Sequence, residues 1–471
     1  MVPVAGVVFG LVAMVALGYA TRWGEALGKL GSIWFWVGLL IFLALGMVVV
    51  VLWVIPRYRE KRFITVLQAE DSKTLGQDAA ESRRQLHNKL LAAIQTLESS
   101  PDLRKKTGLP LYALPWYLLL GARQSGKTAI LKGVANSFSP FVRPPLGISG
   151  PTQDCDWWFF NTAIILDTSG RYAFPAQVEL DSGQWHRLLQ LLRHYRERQP
   201  INGIIIAVAA AGLGTKREEA LRVEAAELRQ RLDEAIRELG IHFPVYLLIT
   251  QCDAIEGFTE FFGCFSAQTQ RQMLGFLNAQ RPQVGDSQLH AAPVASFEAL
   301  FTSMVERLQQ LRLSLLQEKP PTGTLRQRVF CFPEEFRALQ QPLRTFVEVL
   351  FGENPSQHVP FFRGLFFCSA QQQGVLVSFL RHELHFEDQS RPLPREIKNY
   401  FLHDLFTVIL PRDQGLVLRT RTASQVTRHH GLLGFAGCVA LWQRLLAFFR
   451  SGQAAWTAPR ERRRQLEMFR K

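Results

Sequence analysis

The sequence predicts an N-terminal transmembrane helical hairpin, then an α/β domain with a mainly parallel sheet and helices on both faces, then a helical extension. Three observations predict it. Two long uncharged apolar runs open the chain. Short apolar runs then alternate with charged, helix-periodic segments from Trp116 to Ile249, the pattern of a parallel sheet covered on both sides. The first of those runs delivers Gly121-Ala122-Arg123-Gln124-Ser125-Gly126-Lys127-Thr128. This is a G-x-x-x-x-G-K-[ST] loop between a strand and a helix, the pattern of a phosphate-binding P-loop.

The chain has 471 residues, enough for two or three domains, and a formal net charge of +14. A basic balance suits nucleic acid or an anionic membrane face, and the location of the charge decides between them. Six cysteines (Cys155, Cys252, Cys264, Cys331, Cys368, Cys438) show no C-x-x-C spacing. That fits a reducing compartment and buried small hydrophobes, and gives no metal site. Arg381-His382-Glu383-Leu384-His385 is not H-E-x-x-H, so no metal is assigned there either.

Val2 to Ala20 carries no charge, and Ile33 to Ile55 is a second uncharged run with Trp34, Trp36 and Trp53 near its ends. The second would span about 34 Å as a helix, enough to cross a bilayer. The first lacks the charged leader of a signal peptide, and a second run follows at once, so a membrane hairpin is expected at 1–56. Arg57, Arg59, Lys61 and Arg62 then cluster against Arg22 and Lys29 in the connecting loop. The positive-inside rule puts this flank, and with it the bulk of the chain, in the cytoplasm. It also accounts for part of the basic excess, which weakens a nucleic-acid reading.

Residues 57–110 form the next expected unit. Leu86, Leu90, Ile94 and Leu97 recur at helical spacing between Gln77 and Glu98. This stalk helix either packs on the following domain or faces solvent as a linker.

The P-loop domain is expected over 111–265. Glycines at Gly121 and Gly126, with Ser125, let backbone N–H groups surround a phosphate chain at a helix N-terminus. Lys127 would reach the β- and γ-phosphates and Thr128 would ligate Mg²⁺. Asp154 to Phe159 suits a strand or hairpin arm. The buried strand Ala163 to Leu166 ends in Asp167-Thr168-Ser169-Gly170. Asp167 would hold the Mg²⁺, and Gly170 would offer its N–H to the γ-phosphate. Thr152 is a candidate switch threonine closing on Mg²⁺, or a plain turn residue. Gly203 to Ala211 and Val245 to Ile249 read as strands, with a helix over Glu218 to Leu239 between them. Thr250-Gln251-Cys252-Asp253 resembles the N-K-x-D element of GTP-binding proteins, with Asp253 alone matching. Asp253 reads either as a base-binding carboxylate or as a helix cap. The cofactors implied are GTP or ATP, with Mg²⁺.

These stretches join Cys155-Asp156-Trp157-Trp158-Phe159, Pro200-Ile201-Asn202-Gly203, Gly257-Phe258-Thr259-Glu260-Phe261-Phe262, Phe332 to Phe336, Arg363 to Ala370 and Tyr400 to Phe406. Together with the two N-terminal spans they resemble the IcmF/TssM family, inner-membrane subunits of type VI secretion systems, as far as about Leu410. The resemblance implies a GTPase-like cytoplasmic domain in an envelope-spanning complex. It implies a TssL-like inner-membrane partner, baseplate components, oligomerisation within the complex, and an outer-membrane lipoprotein of the TssJ type. Some family members lack an intact P-loop, so turnover does not define the family. Family proteins continue into a third span and a large periplasmic domain. That half is expected to be encoded separately or lost here, which leaves the TssJ-like contact open.

Over 266–415 a helical and α/β extension is expected. Ser296 to Glu318 places Phe297, Leu300, Met304 and Leu308 on one face. Val329 to Phe332 and Gly364 to Cys368 read as strands. Ser369-Ala370 resembles the base-binding S-A element of GTPases, or simply ends its strand. Tyr400 to Leu410 should pack against the helical part. The tail, 416–471, holds Gly431 to Phe449, read as an interfacial amphipathic helix over a degenerate third span. Gln443 and Arg444 interrupt it, and the basic run Arg460 to Arg464 follows.

Catalysis is the open point. Where GTPases often place a water-orienting glutamine, this chain has Arg171, which has donors only but could stabilise phosphate charge. Lys127, Asp167 and Arg171 are therefore the candidate catalytic residues of a slow NTPase. The leading function is a structural and switching subunit of a secretion membrane complex. The alternatives are an autonomous membrane-anchored NTPase and a nucleic-acid motor.

Overall fold

The computed structural model describes residues 77–100, 103, 110–137, 152, 154–278, 293–318, 323–353, 358–370, 375–380 and 398–419. The hairpin expected at 1–56, the flank at 57–62, the histidines at 382 and 385, and the tail beyond Arg419 lie outside those residues. Among the described residues no helix is long and apolar enough to cross a membrane.

A seven-stranded sheet organises the chain, in the order β2-β3-β1-β4-β6-β8-β7. β1 is Trp116–Gly121, β2 Cys155–Phe159, β3 Ile164–Thr168, β4 Gly203–Ala209, β5 Ile241–His242, β6 Pro244–Thr250, β7 Leu274–Leu277 and β8 Phe361–Phe367. The five central strands run parallel, and β2 and β7 close the two edges antiparallel. β5 stands outside this sheet and pairs with β9, Leu418–Arg419. β1, β3 and β6 are buried along their whole length. Such strands are apolar at every position because both faces are covered. Their side chains alternate between two cores: Trp116, Leu118 and Leu120 enter one, Tyr117 and Leu119 the other. Each large apolar side chain fully buried this way stabilises the fold by roughly 1.5–3 kcal/mol.

The larger core lies under helix α1 (Gln77–Ser99), α3 (Val178–Tyr195), α4 (Glu218–Leu239) and the helices of the extension. α1 sends Leu86, Leu90, Ile94 and Leu97 into that core, so the stalk reading becomes a packed helix and the solvent-facing alternative falls. α4 keeps its predicted bounds. Glu218 and Glu219 in the first turn suit the helix dipole, and Gly240 ends the helix in the left-handed conformation at φ 66°. The smaller core holds α2 (Lys127–Ser137), through Ile130, Leu131 and Val134, and the segment Leu402 to Leu410.

Three expectations in the extension change. Val329 to Phe332 is not a strand but part of helix α6, Thr324–Arg337. Its β-branched and aromatic residues favour a strand locally. Burial of Val329, Phe332 and Phe336 at helical spacing overrides that preference. Helix α5, Pro293–Glu318, forms as predicted but turns a different stripe inward: Phe297, Phe301, Val305 and Leu308 are buried, while Leu300 is 38% exposed. Phe301 stacks on Phe336, centroids 5.4 Å apart and planes 5° apart, which fixes that rotation. Tyr400 to Leu410 divides between the faces. Tyr400 and Phe401 meet Phe258 beside the helical part, and the rest covers the smaller core.

One buried ion pair pins this last segment to the sheet. Arg363 on β8 donates to both Asp413 oxygens at 2.6 and 3.0 Å, and Tyr246 on β6 donates to the same carboxylate at 3.0 Å. Tyr117 on β1 donates to the Leu410 carbonyl at 2.6 Å.

Candidate functional site

The glycine loop, the Asp167–Gly170 stretch and the Thr250–Asp253 stretch lie at the carboxyl ends of β1, β3 and β6, where open α/β sheets bind ligands. β1 ends at Gly121, where an added Cβ would lie 2.3 Å from the Ala207 carbonyl oxygen of β4. Gly126 sits at φ 75°, a conformation that L side chains rarely adopt. Between them the chain turns through Gln124 at φ 62° and enters α2 at Lys127.

The Lys127 ammonium lies inside this loop. It donates to the Gly121 carbonyl at 2.8 Å and the Ala122 carbonyl at 2.7 Å, and stands 3.5 Å from the Ser125 hydroxyl. Burial pushes its pKa down to about 8, partly offset by the Asp167 carboxylate.

Thr128, Thr152 and Asp167 converge beside it. The Thr128 hydroxyl donates to Asp167 Oδ2 at 2.7 Å, Thr152 donates to the same oxygen at 3.1 Å, and the two hydroxyls are 3.5 Å apart. Asp167 is fully buried, and its Oδ1 has no hydrogen-bond partner among the described residues. Burial raises its pKa, against the pull of Thr128, Lys127 and Thr152. A buried carboxylate with a spare oxygen, beside two hydroxyls, is a hard-oxygen donor set that fits Mg²⁺. Thr152, read either as a switch residue or as a turn residue, lies in hydrogen-bonding contact with Asp167.

Gly170 presses on the loop from the other side. A Cβ there would lie 2.5 Å from the Arg123 backbone nitrogen. Arg171, the next residue, points its guanidinium at Asp154 in an ion pair, with Asp181 Oδ1 at 3.9 Å. A groove of about 500 Å³ opens beside this turn, lined by Arg123, Gly170, Phe174, Lys216 and Glu224 among others.

Asp253 belongs to a second cluster. It is buried and accepts a 2.6 Å hydrogen bond from the Ser369 hydroxyl, and Cys252 N–H donates to the Cys368 carbonyl at 3.1 Å. The two weak base-binding signals therefore lie side by side. Thr250 and Gln251, which depart from the N-K-x-D pattern, tie this cluster to the phosphate loop. Thr250 donates to the Ser125 carbonyl at 2.7 Å, and Gln251 donates to the Gln124 carbonyl at 3.0 Å. Sequence reasoning missed that role. The signal was present, because both residues keep a side-chain donor at the carboxyl end of a buried strand, Thr250 as its last residue and Gln251 just after it.

Comparison with known proteins follows the same lines. The model of the IcmF-related N-terminal domain matches residues 178–438, more than half of the chain. The chain is 33% identical over 321 residues to type VI secretion system component TssM1 of Pseudomonas aeruginosa, covering 65% of this chain and 28% of that protein. It therefore spans little more than a quarter of that relative. Among solved structures, the signal recognition particle receptor SRb-GTP/SRX complex of Chaetomium thermophilum aligns at 19% identity and TM-score 0.20, over 30% of this chain and 70% of that one. The cytosolic domain of the T. maritima FeoB iron transporter, in its GMPPNP form, aligns at 10% identity and TM-score 0.20, over 50% and 98%. Likeness at that level carries no weight for function.

Proposed function

Because the chain belongs to the IcmF-related family, we propose that it is an inner-membrane subunit of a type VI secretion membrane complex whose cytoplasmic domain binds a nucleoside triphosphate with Mg²⁺. The observation that carries the nucleotide reading is the meeting of Lys127, Thr128, Thr152 and Asp167 at the ends of β1 and β3. In this reading the Lys127 ammonium leaves the Gly121 and Ala122 carbonyls for phosphate oxygens. Loop N–H groups at the start of α2 complete the anion site. Thr128, Thr152 and Asp167 would hold Mg²⁺, which would supply positive charge to the phosphate chain. Asp253 and Ser369 stand on the base side.

The site supports binding better than fast turnover. The residue after Gly170 is an arginine already paired with Asp154, and it offers no acceptor to a water molecule. Nucleotide then acts as a conformational switch within a scaffold that meets TssL-like and baseplate partners.

The test is an allele with Lys127→Ala in a strain that secretes by this system. Loss of effector secretion together with loss of nucleotide binding supports the switch. Full secretion without nucleotide binding would leave a scaffold alone and overturn it.

A further inference from the structure

Two ties join the segment that carries Thr152 to the turn that carries Gly170. The Asp154 carbonyl accepts from Ser169 N–H at 2.8 Å, and the Asp154 carboxylate accepts from the Arg171 guanidinium. Both side chains are mostly shielded, Asp154 at 5% exposure and Arg171 at 21%. Arg171 continues toward Asp181, whose Oδ2 accepts the N–H groups of Ala176 and Gln177 at 3.0 and 3.1 Å. Polar contacts thus run from Asp154, two residues along the chain from Thr152, through Arg171 to the carboxylate of Asp181 in the first turn of α3, the last step being a 3.9 Å charge approach. They end at an exposed surface: Ala176 and Gln177 are exposed, and Val178 is 67% exposed.

An ion pair placed there for stability alone would be a poor choice. Desolvation cancels much of the gain from a shielded pair, and an apolar pair of similar volume holds a turn as well. What the charged pair adds is directional coupling between two segments that both touch the phosphate loop. Arg171 is adjacent to Gly170, which packs on Arg123, and Asp154 is two residues from Thr152.

We propose that Arg171 is a positioning residue: through Asp154 and Asp181 it makes the segment 169–181 follow the occupancy of the Thr128–Thr152–Asp167 cluster. This rests on the nucleotide reading above and adds its route of transmission. If Thr152 left Asp167 to hold a metal, Asp154, two residues along the chain, would move with it. Arg171 and the turn from Phe174 to Gln177, which lines the groove beside the loop, would move in turn. A shift of this kind needs only a small difference in contact energy between the two states.

The experiment is hydrogen–deuterium exchange on the full chain in detergent micelles, with and without Mg²⁺ and a non-hydrolysed GTP analogue. Nucleotide affinity is measured on the same samples. In the wild type, exchange across 169–181 should change by about tenfold on binding. Asp154→Asn should bind within about threefold of wild type yet lose that response, and Asp154→Glu, which keeps the charge, should restore it. Should Asp154→Asn lack a cooperative melt, Arg171→Gln reads the same link from its other end. An equal response in wild type and Asp154→Asn, or none in a wild type that binds, overturns the link and leaves the nucleotide reading intact. No binding by the wild type overturns both.

Discussion

Thr128 and Asp167 stand 39 positions apart in the chain and are joined by a 2.7 Å hydrogen bond in the fold. The parallel register that sets Leu119 opposite Asp167 brings them together. The bond costs Asp167 little freedom but leaves a carboxylate buried with one oxygen unsatisfied. Burial raises its pKa above the unfolded value near 3.9. A carboxyl that binds its proton more tightly when folded adds stability as pH falls from the raised folded value to the unfolded one. Above that window the gain is absent. Asp167→Asn should therefore melt higher than wild type at pH 8 in metal-free buffer, with the difference shrinking toward pH 4. Mg²⁺ should raise the melting temperature of the wild type and not of the variant. Differential scanning calorimetry at the two pH values, with and without Mg²⁺, checks both statements.

Lys127 carries a second pH dependence, of opposite charge. Its pKa is pushed down to about 8 by burial, and a bound phosphate would raise it again. Above pH 8 binding must then take up a proton, so affinity should fall by up to about tenfold per pH unit between pH 8 and 10. Below pH 8 it should be flat. Titration of a fluorescent nucleotide across pH 6–10 reads the slope, and a flat profile to pH 10 would place the lysine outside the phosphate site. Lys127→Ala should weaken binding by about a hundredfold, the loss of a charge-assisted hydrogen bond worth roughly 1.5–3 kcal/mol.

Gly121 and Gly126 should tolerate alanine unequally. At Gly121 the new Cβ would meet the Ala207 carbonyl oxygen at 2.3 Å, a backbone atom held in β4, whereas at Gly126 the nearest atom is Gln251 Cγ at 3.4 Å. Gly121→Ala should cost more than about 3 kcal/mol, against about 1–2 kcal/mol for the left-handed strain of Gly126→Ala. Urea unfolding of the two variants orders them.

Asp413→Ala should be among the most damaging changes far from the phosphate loop. It strands the Arg363 guanidinium, which is 6% exposed, and frees the Tyr246 hydroxyl. A cost of about 3–5 kcal/mol is expected, much of it recovered when Arg363→Met is added. The double variant compared with the two single ones by chemical denaturation measures this.

Much of the geometry of the glycine-loop side of the candidate site was legible in the sequence. The buried strands announce themselves as apolar runs, and the glycines mark a position where a Cβ has no room, Gly121, and one with a positive φ, Gly126. Thr128 and Asp167 could be paired because the helix that carries Thr128 follows β1, which lies beside the strand that carries Asp167. The base side was less legible. Thr250 and Gln251 look like losses from a motif until the fold shows their side chains bonded to the loop backbone, a contact that depends on tertiary proximity and not on residue type. The edge of the sheet was hidden for a different reason. β7 is only four residues long, too short for a period. β8 inserts between β6 and β7, out of sequence order, so residues expected in a separate extension complete the same sheet. In α5 the inward stripe follows Phe301 and Val305, one position away from the Leu300 and Met304 stripe, and only packing against Phe336 decides between them.

The central claim is that this chain binds a nucleoside triphosphate through Lys127, Thr128 and Asp167. Isothermal titration of the full chain in detergent micelles, with non-hydrolysed GTP and ATP analogues in the presence and absence of Mg²⁺, tests it most directly. The predicted result is saturable binding with a dissociation constant below about 100 μM, dependent on Mg²⁺ and weakened about a hundredfold by Lys127→Ala. Absence of binding by either analogue at millimolar concentration, or binding unchanged in Lys127→Ala, would contradict it.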